Sequence, residues 1–273
     1  MLGKCLDAVR EKNPLVWNIT NYVTVNDVAN ALLAVGASPI MSDEQEEAAE
    51  MAALASGVNV NIGTLNRASI ECMMTAAEKA SALGRVTLLD PVGAGATSLR
   101  TRTARALMER ARFTVIRGNI SEIKTLALGS GSTKGVDADV SDSVSDGNLA
   151  SAVSFAKEFA RSHGCIVAIT GAIDLVSDGD RCFVIRNGRA EMSRVTGTGC
   201  QLSGITAAFA SAADGNVLES CAAAVCAMGL AGEIAADAMQ PGDGNATYRT
   251  RIIDALCNMT GSILDKGAKY EIL

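Results

Sequence analysis

The run Thr196-Gly197-Thr198-Gly199-Cys200 sets two glycines, one residue apart, directly before a long helical pattern. Backbone amides at a helix start lack intrahelical acceptors, and the helix dipole adds partial positive charge there, so such a turn suits an anion. Taken alone, the same turn also suits tight packing of a helix on its neighbours. Three charged residues elsewhere bear on the choice. Asp90 opens the run Asp90-Pro91-Val92-Gly93-Ala94-Gly95, Arg117 precedes Gly118-Asn119, and Glu122 follows Asn119 by three residues. Carboxylates in a crevice hold hydrated Mg²⁺ through one or two direct contacts. A guanidinium there neutralises phosphate. Each residue also has a purely structural reading: Asp90 capping the turn at Pro91, Glu122 favouring a helix N-terminus, Arg117 ending a strand at the surface. Together they form a sufficient kit for phosphoryl transfer, which needs positioning and charge stabilisation more than a nucleophilic side chain.

The elements around these residues give them reason to converge. Val58-Asn59-Val60-Asn61-Ile62, Val86-Thr87-Leu88-Leu89, Phe113-Thr114-Val115-Ile116 and Ile166-Val167-Ala168-Ile169 are short, β-branched and nearly uninterrupted, as buried parallel strands are. Helical stretches lie between them and stop at Gly84 and Gly164, just before the next strand. A helix is expected from Asn26 to Val35, and another from a Ser42-x-x-Gln45 capping box to Gly57. This alternation predicts an α/β fold with a central, mostly parallel sheet and helices on both faces. Asp178-Gly179 and Asn187-Gly188 are hairpin signals, so antiparallel edge strands are expected around Val176, Cys182 to Arg186 and Ala190 to Met192. The remainder reads as helices over Cys200 to Ala213, Val217 to Met239 and Ile252 to Leu264. Gly129 to Gly147, rich in Gly, Ser and Asp, reads as a surface loop. With no repeat and no linker, the chain is expected to form one domain over residues 1–273. In an open α/β sheet, ligands bind beyond the carboxyl ends of the strands. Asp90, Arg117 and the pair Thr170-Gly171 all follow strands there.

Other function classes lose support from the same chain. The formal net charge is −6, and no basic run interleaves with aromatic residues, so nucleic acid is not an expected partner. The N-terminal residues carry charges throughout and offer no apolar signal core, and the uncharged stretch from Val195 to Ala213 contains too many Gly, Ser, Thr and Gln residues for a membrane span. A cytoplasmic location is expected. The eight cysteines form no C-x-x-C pair, so a zinc ribbon or redox dithiol is disfavoured and most act as small core residues. His163 is the single histidine and leaves a Ser-His-Asp triad without material. Four G-x-G pairs begin at Gly93, Gly129, Gly197 and Gly242, and none continues to the dinucleotide fingerprint. Gly129-Ser130-Gly131-Ser132-Thr133-Lys134 lacks the Gly-Lys-Ser/Thr ending of a P-loop.

Asn119-x-x-Glu122 with the Gly-Thr-Gly turn resembles the ribokinase superfamily. Asn18-Ile19-Thr20-Asn21-Tyr22-Val23-Thr24, Gly36-Ala37-Ser38-Pro39-Ile40-Met41, Asn61-Ile62-Gly63-Thr64-Leu65, Asp90 to Gly95 and Arg117-Gly118-Asn119 resemble, in order and wording, the hydroxyethylthiazole kinases. That resemblance implies a ribokinase-like fold and transfer of the γ-phosphate of ATP to the hydroxyl of a thiazole alcohol, with Mg²⁺, in a homotrimer whose active sites lie between subunits. Carried over by position, Asn21, Val23, Met41, Gly63 and Gly197 line the thiazole pocket. Arg117, Thr170 and Asn119 serve ATP, and Glu122 and Asp90 serve the metal. Gly197, Thr198 and Gly199 with Cys200 form the catalytic turn. Related sugar kinases place an Asp base where this chain has Cys200, so Cys200 is expected to orient the substrate hydroxyl. Trp17 replaces a frequent polar residue or His and is expected to alter the pocket rim, and Thr198 stands where Ala is frequent. Two other readings predict different features: a nucleotide-dependent lyase should carry Asp at position 200 and lack Asn18 to Asn21, and a nucleotide sensor should bind ATP without turnover.

Overall fold

The structure, a computed structural model, describes residues 1–128 and 143–273. Most of the loop expected over Gly129 to Gly147, including the P-loop-like run, lies outside the described residues. Among the described residues, one nine-stranded sheet runs in the order β2-β1-β3-β4-β5-β6-β7-β8-β9. Its strands are β1 Leu15–Ile19, β2 Ser38–Met41, β3 Gly57–Asn61, β4 Val86–Asp90, β5 Val115–Gly118, β6 Ile166–Ile169, β7 Asp174–Ser177, β8 Cys182–Ile185 and β9 Tyr270–Ile272. β1 to β6 are parallel, and β7, β8 and β9 add on antiparallel. The expected architecture is therefore present, with antiparallel strands confined to one edge.

Helices cover both faces. α1 (Gly3–Lys12), α2 (Val25–Val35), α8 (Thr198–Ser211), α9 (Val217–Asp237), α10 (Asn245–Asn258) and α11 (Gly261–Gly267) bury Leu6, Leu32, Phe209 and Val225 in one core layer. α3 (Ala48–Leu54), α4 (Arg67–Ala82), α5 (Ser98–Arg110), α6 (Ile120–Ala127) and α7 (Leu149–His163) bury Ala52, Met73, Leu107, Ile123 and Phe159 in the other. α9 has the length and hydropathy of a membrane span, but 78% of that window is buried inside the fold, as in a core helix. α7 ends where Gly164 turns left-handed at φ 61°, and the His163 ring stacks on Phe159 with centroids 4.2 Å apart. All eight cysteines are free, six of them buried.

Several expectations are corrected. β1 and β2 are strands beyond those expected: Asn18 interrupts one apolar run and Pro39 the other, and β2 lies at the sheet edge, where proline is tolerated. Ala190–Arg194 is a 3₁₀ turn and not a strand. The final helix is two helices, broken at Met259 and restarted by Thr260, whose hydroxyl caps Ile263. Ser42 caps nothing: its carbonyl and hydroxyl accept from Trp17 Nε1 at 3.0 and 3.1 Å, and α3 starts later, without a side-chain cap. Trp17 is fully buried among α3 and α4 and forms no pocket rim, because it alternates with Asn18 and so faces the opposite side of the sheet.

A polar clasp closes the antiparallel edge. Glu233 on α9 accepts from Gly188 N at 2.9 Å, Asn187 Nδ2 at 3.2 Å and Lys269 Nζ at 2.7 Å, while Asn187 Oδ1 accepts from Lys269 N at 2.8 Å. Burial raises the pKa of Glu233, but the bonds from Lys269, Gly188 and Asn187 outweigh it and leave the group lowered. A depressed carboxylate contributes stability above its unfolded pKa and loses it as pH falls through the folded value. Lys269→Met should therefore cost roughly 1 kcal/mol at pH 7, limited by the exposure of the lysine, and less in acid. Urea unfolding of both proteins at pH 7 and pH 3.5 checks this.

Candidate active site

Period-two alternation puts a polar row on one face of the sheet. Val16, Leu88, Val115 and Ala168 belong to the core layer under α8 and α9. Asn18, Asp90, Arg117 and Thr170 lie two residues beyond them and face the same side, at or past the strands' carboxyl ends. Asn61 pairs with Asp90 across β3 and β4, and Arg117 with Ala168 across β5 and β6. The row thus crosses the middle of the sheet beneath the start of α8.

α8 starts at Gly197, whose φ of 85° belongs to the left-handed region and whose added Cβ would collide with Thr24. No side chain caps this helix, and its first backbone bond runs from Gln201 N to Gly197 O at 2.8 Å. The amides of Thr198, Gly199 and Cys200 precede that bond and face outward from the helix start. Over them lies Arg117: a Cβ on Gly199 would stand 2.8 Å from Nη1 and 3.0 Å from Nη2. Arg117 Nη2 donates to Thr170 Oγ1 at 2.6 Å, and Nη1 lies 3.7 Å from Asp90 Oδ2. Amides and guanidinium therefore point positive charge at one spot.

Asp90 anchors this centre from below. Its Oδ2 accepts from Asn61 Nδ2 and from Ser203 Oγ, both at 2.7 Å, while Oδ1 is buried with no partner among the described residues. Burial pushes its pKa up to about 6, against the pull of Arg117, Ser203 and Asn61 and with a further push from Glu122. Glu122 is tied to the backbone: Oε1 accepts from Gly93 N and Oε2 from Asn119 N, both at 2.8 Å, while Asn119 Oδ1 accepts from Glu122 N at 2.9 Å. This capping box fixes the start of α6 and pins the loop after β4 to the loop after β5. The two carboxylates, with the Oδ1 of Asp90 left over, are of a kind that could hold a hydrated Mg²⁺.

Cys200 sits in the first turn of α8, beside the same centre. Its sulfur accepts from Asn21 Nδ2 at 3.0 Å and from Asn61 Nδ2 at 3.3 Å. Burial and the nearby Asp90 charge raise its pKa, and the donors Thr24, Asn21 and Asn61 offset only part of this. The group is a thiol at neutral pH. Asn21 also holds Thr24 through its Oδ1, and Gly63 packs so closely on Asn21 that a Cβ would lie 3.0 Å from the amide. Met41 is half-buried at the end of β2, whereas Val23 is 62% exposed and Tyr22 76%. Asn21, Gly63, Gly197 and Cys200 are thus brought together, while Val23 faces outward from the single chain.

Sequence reasoning gave no role to Asn61, Ser203, Thr24 or Arg100. Asn61 had a readable signal, a polar residue alternating with Val58, Val60 and Ile62 in a buried strand. Ser203 lies one helical turn after Cys200. Arg100 had none: from α5 it donates to the carbonyls of Ile62 at 3.0 Å, Val92 at 2.7 Å and Gly63 at 2.8 Å, joining two loops through backbone atoms. A cleft of about 590 Å³ extends from Arg117, Thr170, Thr198 and Gly199 towards Val225 and Met228. A second cleft of about 560 Å³ lies at the amino ends of the strands, by Arg85, Arg112 and Thr114, and contains none of these groups.

Residues 6–262 match the model of the hydroxyethylthiazole kinase family. The chain belongs to that family. A hydroxyethylthiazole kinase of Clostridium acetobutylicum is 53% identical over 271 residues, covering 99% of both chains. The solved structure of hydroxyethylthiazole kinase from Pyrococcus horikoshii superposes with a TM-score of 0.88 at 37% identity, covering 100% of this chain and 98% of that one. A ribokinase-like superfamily protein of Enterococcus faecalis shares the fold, with a TM-score of 0.64 at 15% identity and coverage of 96% and 95%. The fold expected from the motifs of hydroxyethylthiazole kinases is therefore the observed one.

Proposed function

We propose that this chain transfers the γ-phosphate of ATP to the hydroxyl of 4-methyl-5-(2-hydroxyethyl)thiazole, giving the thiazole phosphate used for thiamine. The observation that carries this reading is the positive focus at the α8 start, where outward amides and the Arg117 guanidinium meet over Gly199. Such preorganised donors stabilise charge as it develops on a transferring phosphoryl group. In this reading the outward amides of Thr198, Gly199 and Cys200 receive the group, Gly197 makes the left-handed turn that presents them, and Arg117 with Thr170 orients the ATP phosphates. Asn119 acts through its cap on α6, holding Glu122 against the loop after β4. Asp90 and Glu122 would hold Mg²⁺, which supplies charge neutralisation to the phosphates when bound.

Asn21, Met41, Gly63 and Gly197 would receive the thiazole, with Val23 completing the pocket against a second subunit. The exposure of Val23 and Tyr22 supports a homotrimer whose active sites lie between subunits. A fully active monomer in light scattering would end that part of the reading. The enzyme is read as one domain over residues 1–273 acting in the cytoplasm.

Cys200 orients the substrate hydroxyl in this scheme and does not take its proton. Cys200→Ala should therefore keep turnover within roughly 10² of the parent, below the usual contribution of a full general base at its upper range. Steady-state kinetics check this; abolished turnover with both substrates still bound would make the thiol a base. The decisive test of the reaction is mass detection of the phosphorylated thiazole together with ADP, lost on chelating the metal. No product from a panel of thiazole alcohols would sink the reaction as written.

A further inference from the structure

Asp174 lies outside every role assigned so far, yet it occupies the same edge of the sheet. β7 runs antiparallel to β6, so its first residue stands beside the carboxyl end of the parallel strands. Asp174 alternates with Val176, which packs in the layer under α9, and it therefore shares a face with Arg117. It lines the cleft that also contains Arg117, Thr170 and Gly199. Its Oδ1 accepts from Gly171 N at 2.8 Å and closes the turn between β6 and β7. The second carboxylate oxygen has no hydrogen-bond partner among the described residues and is not sealed in the core.

The turn by itself does not account for a carboxylate. One oxygen satisfies Gly171, and an amide or hydroxyl side chain would serve that bond as well. Burial pushes the Asp174 pKa up to about 7, against the Gly171 bond and the Arg117 charge, so the carboxylate form carries an energetic cost and is only partly populated at neutral pH. A donor on the free oxygen would reverse that cost.

The cleft has unlike walls. Thr198 and Gly199 under Arg117 line one part of it, and the apolar Val225 and Met228 line another, alongside the polar Asn187, Arg189 and Ser193. A nucleotide with its phosphates on the α8 start and its base against Val225 and Met228 would carry its sugar between the two, in the cleft that Asp174 lines together with the Arg117–Thr170 pair. We propose that Asp174 accepts a hydrogen bond from a ribose hydroxyl of the phosphate donor and selects ribonucleotides over deoxyribonucleotides. This rests on the kinase reading for the placement of the phosphates.

The test measures dissociation constants by calorimetry for ATP, 2′-deoxyATP and 3′-deoxyATP, with the parent, Asp174→Asn and Asp174→Ala. Asn keeps the Gly171 bond and so controls for the turn. At pH 8, where Asp174 is mostly ionised, the parent should bind ATP at least roughly tenfold tighter than one of the deoxy analogues, as expected for a hydrogen bond to a charged acceptor. In Asp174→Ala that preference should collapse towards unity, through weaker ATP binding alone, and Asn should fall between. Equal binding of all three nucleotides by the parent overturns the proposal, as does a loss in Asp174→Ala that is the same for ATP and both analogues. Ribose discrimination without any thiazole phosphorylation would instead overturn the kinase reading and leave this one standing. Absence of nucleotide binding would overturn both.

Discussion

Gly199→Asp is expected to lower turnover by at least roughly 10², the scale of removing one preorganised donor from a charge-stabilising site. The added side chain would begin 2.8 Å from Arg117 Nη1 and 3.3 Å from its Cζ, so its carboxylate would pair with the guanidinium. Three effects then act together. The arginine is neutralised, the carboxylate occupies the space before the amides, and its charge repels the incoming phosphates. Folding should survive, because an acidic side chain in the first helical turn suits the dipole and Gly199 is only half-buried. Gly199→Ala separates bulk from charge and should cost less. Kinetics with saturating ATP, alongside a melting curve for each protein, check the prediction. A turnover rate equal to the parent's would mean that the phosphate sits elsewhere.

The alternation of apolar runs and helical patterns made the parallel core legible, because buried strands such as Ile166 to Ile169 carry their signal locally. What escaped was set by partners distant in sequence. β2 is held at an edge, where a proline is harmless, and β9 forms only because its residues pair with β8. The candidate site divides the same way. Gly197 to Gly199, Asp90, Arg117 and Glu122 announce themselves by position after a strand or before a helix. Ser203 and Arg100 do not, since each acts through a contact that only the folded chain creates, 113 residues away for Ser203 and Asp90. Glu122 shows a further limit of sequence reading. Its structural and functional interpretations look like alternatives, but the capping box and the bond from Gly93 spend one lone pair of each oxygen and leave others for the proposed metal.

Asp90→Asn is expected to lower turnover by roughly 10² or more while leaving the fold as stable as the parent, or more so, at neutral pH. The loss follows from the position of Asp90 beside Arg117: without the charge, the guanidinium loses its counter-ion, and the buried Oδ1, unpartnered among the described residues, loses the role proposed for it towards Mg²⁺. The stability follows from linkage. Burial raises the folded pKa of Asp90 from 3.8 to about 6, so between those values the native state binds more protons than the unfolded state. Stability of the parent should then fall as pH rises from about 4 to about 6, and level off above. The full shift corresponds to roughly 3 kcal/mol, an upper bound once the site relaxes. Asparagine mimics the protonated acid, keeping the bonds to Ser203 and Asn61 without the desolvated charge, so the variant should gain on the parent over that same pH interval and keep the gain at pH 7. Urea unfolding at pH 4, 5, 6 and 7 in the presence of chelator measures this directly. A parent that becomes more stable across that interval would mean that Arg117 and the surrounding donors already stabilise the Asp90 charge beyond its desolvation, and the site would then be a settled ion pair rather than one held in reserve for a cation.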